Sequence, residues 1–386
     1  MQPGSQEEEA MVTSSSSSMR NEADGDGSVL ALAMRISREA RALCGSTVDV
    51  VDVHDACVGF GTRAFERVFL RDYVAGGRPL LMRNACASWP AVDEWRDDAN
   101  IVARMGDARV RVNWTPDGRA DSIQYVDEQA YFVEPVETQM AFGDAVRCLG
   151  MNANRHAGRF VPHAVPDGWV PYISAQNDSM HADFAPLVRD IDVASSAMFD
   201  ALFGAEPEAV NFWAGDARSL TSFHKDHYEN VYFVLRGCKH VRLLPPTEGW
   251  RLRFVDGLHG RYVLDGESSG QCEGLRRKHV QQQSRIDVSD PPQKTRWSAV
   301  GAVSPDGSTI DVLDDTACGA PLHVTLSAGD GLYIPSMWYH EVCAGGDSNR
   351  TRDHSMSGGE MSIAVNRWYD MAYGERFAIL NALGQM

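Results

Sequence analysis

Several things are missing from this 386-residue sequence. No stretch approaches the eighteen or so consecutive apolar residues of a membrane-spanning helix, so no membrane role is expected. There is no CxxC pair, and the eight cysteines are scattered. That spacing argues against a zinc framework. With no secretory leader read at the start, the cysteines are expected to be reduced thiols in a reducing compartment, the cytoplasm first and the nucleus second. Positive charge is also short: 36 Lys and Arg stand against 53 Asp and Glu, a net −17. This excludes general nucleic-acid binding. It suits a basic protein substrate, and equally plain solubility.

What is present is enough apolar residue, 44%, for a sizeable core, in a length that allows one large domain or two ordinary ones. The stretch from Thr221 to Leu244, TSFHKDHYENVYFVLRGCKHVRLL, draws attention first. It reads as two β-strands with a tight turn at Arg236-Gly237. Strand period two places His224, Asp226, Tyr228, Asn230 and Tyr232 on one face. A buried face normally carries Val, Ile or Leu, so this polar row needs a reason, and a metal supplies one. His and Asp two apart can reach one ion, and a second His elsewhere would complete the 2-His-1-carboxylate set of non-haem iron oxygenases. An isolated His-x-Asp is weak, since about one is expected by chance in such a chain. Three further residues strengthen it: Lys239 at the start of the next strand, His340 in GDGLYIPSMWYHEV and Asn366 in IAVNRWYD.

Together, NFWAGD…TSFHKDHYENVYFVLRGCKHVRLLPP, GDGLYIPSMWYH and IAVNRWYD resemble a jumonji-C (JmjC) domain. More narrowly, with FLRDYVAGGRPLLMRNACASWPA, VNWTPDGRAD and VPYISAQN upstream, they resemble the small JmjC-only 2-oxoglutarate hydroxylases of the jumonji-domain protein 7 type, the (3S)-lysyl hydroxylases. The resemblance runs from about Ala64 onward.

In chain order, residues 1–27 read as a disordered low-complexity tail, because the Glu run and Ser14 to Ser18 cannot bury apolar surface. An amphipathic helix is expected from Ser28, with Leu32, Ile36, Ala40 and Leu43 at helical spacing and Gly45 as its stop. A second helix is expected over Thr62 to Val74. These form a helical support (28–75) for one oxygenase domain over 28–386. Strands are expected at Pro79–Met82, Ala108–Trp114, Trp169–Gln176, Val210–Trp213, Leu322–Leu326 and Met361–Trp368, and helices at Phe142–Arg147 and Phe377–Leu383. Two stretches read as inserted loops: about 266–294, expected to be disordered, and 344–360, lengthening a hairpin tip at little entropic cost.

The resemblance implies a mainly β fold with flanking helices, a double-stranded β-helix or cupin-like jelly-roll barrel. It implies that His224, Asp226 and His340 hold Fe(II), that 2-oxoglutarate takes two of the remaining positions, and that O2 takes the last. The distal carboxylate of 2-oxoglutarate needs a fixed cation. Lys239 fills that role, helped by hydroxyls of Thr221 and Tyr172, with Asn230, Tyr232 and Asn366 as further cofactor-binding candidates. After His340 relatives often have a second histidine; here Glu341 stands there, pointing to the other face. The implied reaction is hydroxylation of a lysine at C3 in a protein substrate, of which a translation-factor-class GTPase is one kind, with succinate and CO2 as co-products. N-methyl-lysine demethylation shares every cofactor residue and stays open. So do a peptidase-type activity on histone tails, a non-catalytic JmjC binding module, and a homodimer through the C-terminal helix.

Overall fold

The computed structural model describes residues 15–53, 61–150, 165–191, 194–264, 275–279, 282–345 and 361–384. The chain opens with helix α1 (Ser15–Cys44). It takes in the second half of the stretch read as a tail, while residues 1–14 lie outside the described residues. The docking face of α1 also differs from the expected one. Ala33, Ser37 and Arg41 are buried, whereas Leu32 and Leu43 are exposed. The reason is polar docking: Ser37 Oγ donates to Thr247 O at 2.6 Å, Trp250 Nε1 donates to Ser37 Oγ, and Arg41 forms two 2.8 Å bonds to buried Glu248. The second expected helix is present in two parts. An α-helical turn, Arg63–Val68, is capped by Thr62, whose side chain accepts from Phe65 N, and a π-helical segment, Phe69–Val74, follows.

Strands β1 (Asp49–Asp52) and β2 (Leu80–Arg83) begin the β structure. Next come β3 (Arg109–Thr115), β4 (Arg119–Ala120), β5 (Ser122–Val126), β6 (Gln129–Glu134), β7 (Val136–Ala141) and β8 (Val170–Ile173). The barrel proper starts with β9 (Ala209–Gly215), β10 (Leu220–Lys225), β11 (Tyr228–Arg236) and β12 (Cys238–Leu244). An excursion follows through β13 (Phe254–Val263), β14 (Leu275–His279), β15 (Gln282–Val288) and β16 (Lys294–Ser298). The barrel closes with β17 (Leu322–Ser327), β18 (Gly331–Ile334), β19 (Tyr339–Gly345) and β20 (Ser362–Asp370).

A nine-stranded sheet runs β1-β2-β18-β11-β20-β9-β8-β3-β7, and a five-stranded sheet runs β17-β12-β19-β10-β4. The barrel strands alternate between them, except that β12 and β17 follow one another in the second: β9, β11, β18 and β20 lie in the first, β10, β12, β17 and β19 in the second. That alternation is a double-stranded β-helix, as expected. Side chains such as Val234, Val241, Leu243, Val324, Leu326 and Leu332 fill its interior. Outside the nine-stranded sheet, Phe69, Trp89, Trp95, Phe199, Phe212 and Phe233 form the larger core against the helices.

Two corrections concern the barrel's connections. Thr221 to Leu235 is not one strand: it breaks at Asp226-His227, where the chain crosses from the five-stranded to the nine-stranded sheet. Arg236-Gly237 is not the turn of a hairpin. β11 pairs with β18 and β20, and β12 with β17 and β19, so the chain crosses back there. Gly237 permits this crossing with φ +68, and a Cβ there would come within 3.0 Å of Met361 O.

A third correction concerns the stretch 266–294. It was expected to be a disordered loop, but it contributes β14 and β15 to a six-stranded sheet ordered β14-β15-β13-β6-β5, with β16 on β13. Ile286 pairs with Tyr262, and both are buried in the main core. Ile286 and Val288, spaced two apart in polar surroundings, are too short a signal to outweigh the composition. The other insert, 344–360, lies outside the described residues after Gly345.

Candidate functional site

β10 and β19 are antiparallel neighbours, and their register sets His224 opposite His340. The two rings lie 4.2 Å apart. Asp226 follows at the end of β10, with its Oδ2 3.8 Å from His224 Nε2 and 3.5 Å from His340 Nε2. One donor atom from each residue lies within 4.8 Å of the other two. His224 Nδ1 is 2.8 Å from Ser222 O, and His340 Nδ1 is 3.0 Å from Trp338 O. A carbonyl can only accept, so each Nδ1 carries the proton and each Nε2 turns a lone pair toward Asp226. That is the tautomer a metal requires, fixed by the second bond of each ring. Burial, then the neighbouring His340, pulls the His224 pKa down and keeps the ring neutral. Burial works to raise the Asp226 pKa, but the proximity of His224 and His340 outweighs it and holds it below the ordinary carboxylate value. Two neutral imidazoles and one carboxylate on one side of a cavity suit a divalent ion with open positions.

The sequence candidates gather around this cavity. Tyr172, Thr221, His224, Asp226, Asn230, Tyr232, His340 and Asn366 all line it, with Trp213 and Trp368. Tyr172 Oη and Thr221 Oγ1 are 3.2 Å apart. Asn366 accepts from Trp213 Nε1 at 2.9 Å and donates to Asn230 Oδ1 at 3.2 Å, so a chain of side chains spans β9, β20 and β11. Tyr228, on the same face of β11 as Asn230 and Tyr232, stacks flat on the cavity-lining Trp368 at 5.0 Å.

Lys239 is not in the cavity wall. It is 1% exposed, and its Nζ sits 5.5 Å from the centre of the Tyr172 ring. No carboxylate among the described residues lies within ion-pair distance of it. Burial lowers its pKa to about 8. A buried ammonium without a counter-charge is costly unless an anion joins it. Tyr232 Oη and Trp368 Nε1 are likewise buried without partners and border the cavity. Donors of this kind suit a ligand carrying negative oxygen.

Sequence reasoning missed three indoles. Trp368 lies two residues beyond Asn366 on one strand, so period two could have found it. Trp213 pairs through Ala364, which only the sheet order reveals. Trp297 comes from the excursion. Its ring is parallel to that of His224 within 6° at 6.3 Å, and its Nε1 donates to Ser222 Oγ at 2.9 Å. Nothing local signals it. Glu341 points outward, as expected, and pairs with Arg242 at 3.0 Å.

A jelly-roll barrel with a His-Asp-His centre in its mouth defines a cupin-type oxygenase architecture. Residues 66–375 match the family model described as a cupin-like domain. The chain is 31% identical to the lysine-specific demethylase JMJ32 of Arabidopsis thaliana, over 82% of each protein. It is 29% identical to JmjC domain-containing protein E of Dictyostelium discoideum, over 82% of this chain and 84% of that protein. It is also 29% identical to the human bifunctional peptidase and (3S)-lysyl hydroxylase JMJD7, over 82% and 85%. The chain belongs to the cupin-like JmjC family and is an enzyme of its 2-oxoglutarate-dependent dioxygenase class.

Proposed function

We propose that the protein is a protein hydroxylase that uses Fe(II), 2-oxoglutarate and O2 to place a hydroxyl on C3 of a lysine in a protein substrate. The observation that carries it is the pairing of two buried features: a three-donor centre in the correct tautomers, and a buried cation beside it without a counter-charge. His224, Asp226 and His340 hold the iron. Lys239 neutralises the distal carboxylate of 2-oxoglutarate, with the hydroxyls of Tyr172 and Thr221 giving it direction. Tyr232 and Asn230 complete the polar lining, and Asn366 is held in place by Trp213. Bound together, iron, 2-oxoglutarate and O2 supply the oxidising power that hydroxylates an unactivated C–H bond and yields succinate and CO2. The chain's own residues orient the co-substrate, exclude water, and hold the target carbon near the metal.

The same site would serve N-methyl-lysine demethylation, the activity named for JMJ32. We favour C3 hydroxylation on the motif resemblance to the lysyl hydroxylases; overall identity is nearly equal, 29% to JMJD7 and 31% to JMJ32 over the same share of the chain. The partner is a protein with a target lysine, a translation-factor-class GTPase being one kind. The last helix, Glu375–Leu383, is apolar at Phe377, Ile379, Leu380 and Leu383 yet buries none of its residues, which supports a homodimer. No described helix is long and apolar enough to cross a membrane, and a cytoplasmic location, with the nucleus as a second, accords with the scattered cysteines that lack a CxxC pair.

The experiment is mass spectrometry of partner proteins incubated with and without the enzyme, iron and 2-oxoglutarate. A one-oxygen gain on lysine, located at C3 after amino-acid hydrolysis, is expected. Formaldehyde from methyl-lysine with no oxygen gain would assign demethylation instead. In the same assay Asp226→Ala should lose both metal, read by native mass spectrometry, and succinate formation. Wild-type turnover in that variant sinks the metal assignment.

A further inference from the structure

Asp121 stands in the bend between β4 and β5 with φ +48. A non-glycine residue in this left-handed region is uncommon and is held there by its surroundings. Ser222 Oγ donates to the Asp121 carbonyl at 2.6 Å, and parallel pairing of β4 with β10 sets Ala120 beside Thr221. Ser222 also receives Trp297 Nε1 and lends its own carbonyl to His224 Nδ1. Asp121 is therefore fastened, through one residue, to the strand that carries the candidate metal ligand. Its carboxylate is also close enough to the cavity-lining Tyr172 for its charge to raise that phenol's pKa.

The carboxylate of Asp121 has no hydrogen-bond or ion-pair partner among the described residues. Its neighbour Glu134 is held by Arg261 at 3.0 Å and lies 3.5 Å from His259. The residue is partly open to solvent, yet burial of the carboxyl, and then the charge of Glu134, raise its pKa to about 6. It is still ionised at neutral pH. A half-sunken carboxylate with no cation beside an active-site wall is costly to the free protein and suits a cationic ligand.

We propose that Asp121 receives the ammonium group of the substrate lysine and so determines specificity. This rests on the lysyl C3-hydroxylase reading above. In lysine, C3 and Nζ are four bonds apart, roughly 5 Å in an extended side chain. With C3 held near the metal, the extended side chain would carry the ammonium past Tyr172 toward Asp121. In methyl-lysine the reacting carbon is bonded to the nitrogen itself, and the complementary anion would be needed beside the metal instead.

The test uses peptide libraries with one central lysine and matched libraries with norleucine there, which keeps C3 and lacks the ammonium. Oxygen gain is read by mass spectrometry at sub-saturating peptide. The lysine-to-norleucine rate ratio within each protein cancels any general loss from misfolding. Wild type should favour lysine at least tenfold. Asp121→Asn should bring the ratio close to one, and Asp121→Glu should restore part of it. A ratio unchanged in Asp121→Asn overturns the assignment. If wild type forms succinate but oxidises neither library, the C3-hydroxylase reading fails and this assignment with it. If wild type oxidises both libraries equally, only the assignment fails.

Discussion

At the level of single residues, Lys239 leads to a pH dependence. Its ordinary pKa is 10.5 and burial lowers it to about 8. Below about 8 the free protein offers a cation; above it, a neutral amine. Affinity for 2-oxoglutarate should therefore be full below pH 8 and fall as pH rises through that value, up to tenfold per unit. Stability of the free protein has the opposite sign. The unfolded chain keeps its lysine proton until about 10.5, so the cost of the buried charge is fully present below pH 8 and relieved as pH climbs toward 10.5. Titrating 2-oxoglutarate against the iron-loaded protein at several pH values checks the first sign, and urea unfolding without ligand checks the second. Lys239→Ala should weaken 2-oxoglutarate binding by about 2–3 kcal/mol, a charge-assisted bond lost from a buried site, while the metal stays bound. Unchanged affinity for 2-oxoglutarate would refute the anchor.

At the level of elements, the excursion through β13–β16 is joined to the active site by Trp297 and to the core by Ile286. Ile286→Ala should lower stability by about 2–5 kcal/mol, measured as a shift of the urea midpoint, because it leaves a cavity against Tyr262. A loose loop would show no shift. Local pattern and global pairing differ in how far sequence reveals them. Period two, read from His224 onward, gathered the polar side chains that line the cavity, and Lys239 was placed inward from the phase of Val241 and Leu243, both buried beside it. The break at Asp226 and the crossing at Gly237 were not legible, because which sheet a strand joins depends on partners more than a hundred residues away. α1 shows the reverse limit. Its apolar spacing suggested one face, but Ser37 and Arg41 dock through polar partners, Thr247 and Glu248, that hydrophobic periodicity does not register.

At the level of the whole molecule, the net charge of −17 bears on how a cationic substrate is met. Long-range attraction is screened over roughly 8 Å at physiological ionic strength, whereas a close contact with Asp121 is screened less. Raising salt from 50 to 500 mM should slow capture of a lysine-rich substrate at low concentration severalfold. The lysine-to-norleucine preference should change far less. If both collapse together, recognition rests on diffuse surface charge. The family and barrel were legible because a few short motifs carry the resemblance. The wall between Asp121 and Trp297 was not, since its parts come from β4, β5 and β16 and meet only in three dimensions.

β20 is the last of the described strands, yet it lies between β11 and β9 in the middle of the nine-stranded sheet. During synthesis, every earlier strand of that sheet emerges before the strand that joins its two halves. Until Ser362–Asp370 arrives, β11 and β9 each present a bare edge able to pair with another chain. The nascent protein therefore carries two unpaired sheet edges, which favour aggregation, until this strand is made. A chain stopped after β19 would own all three metal ligands and still lack the strand that holds the two halves together.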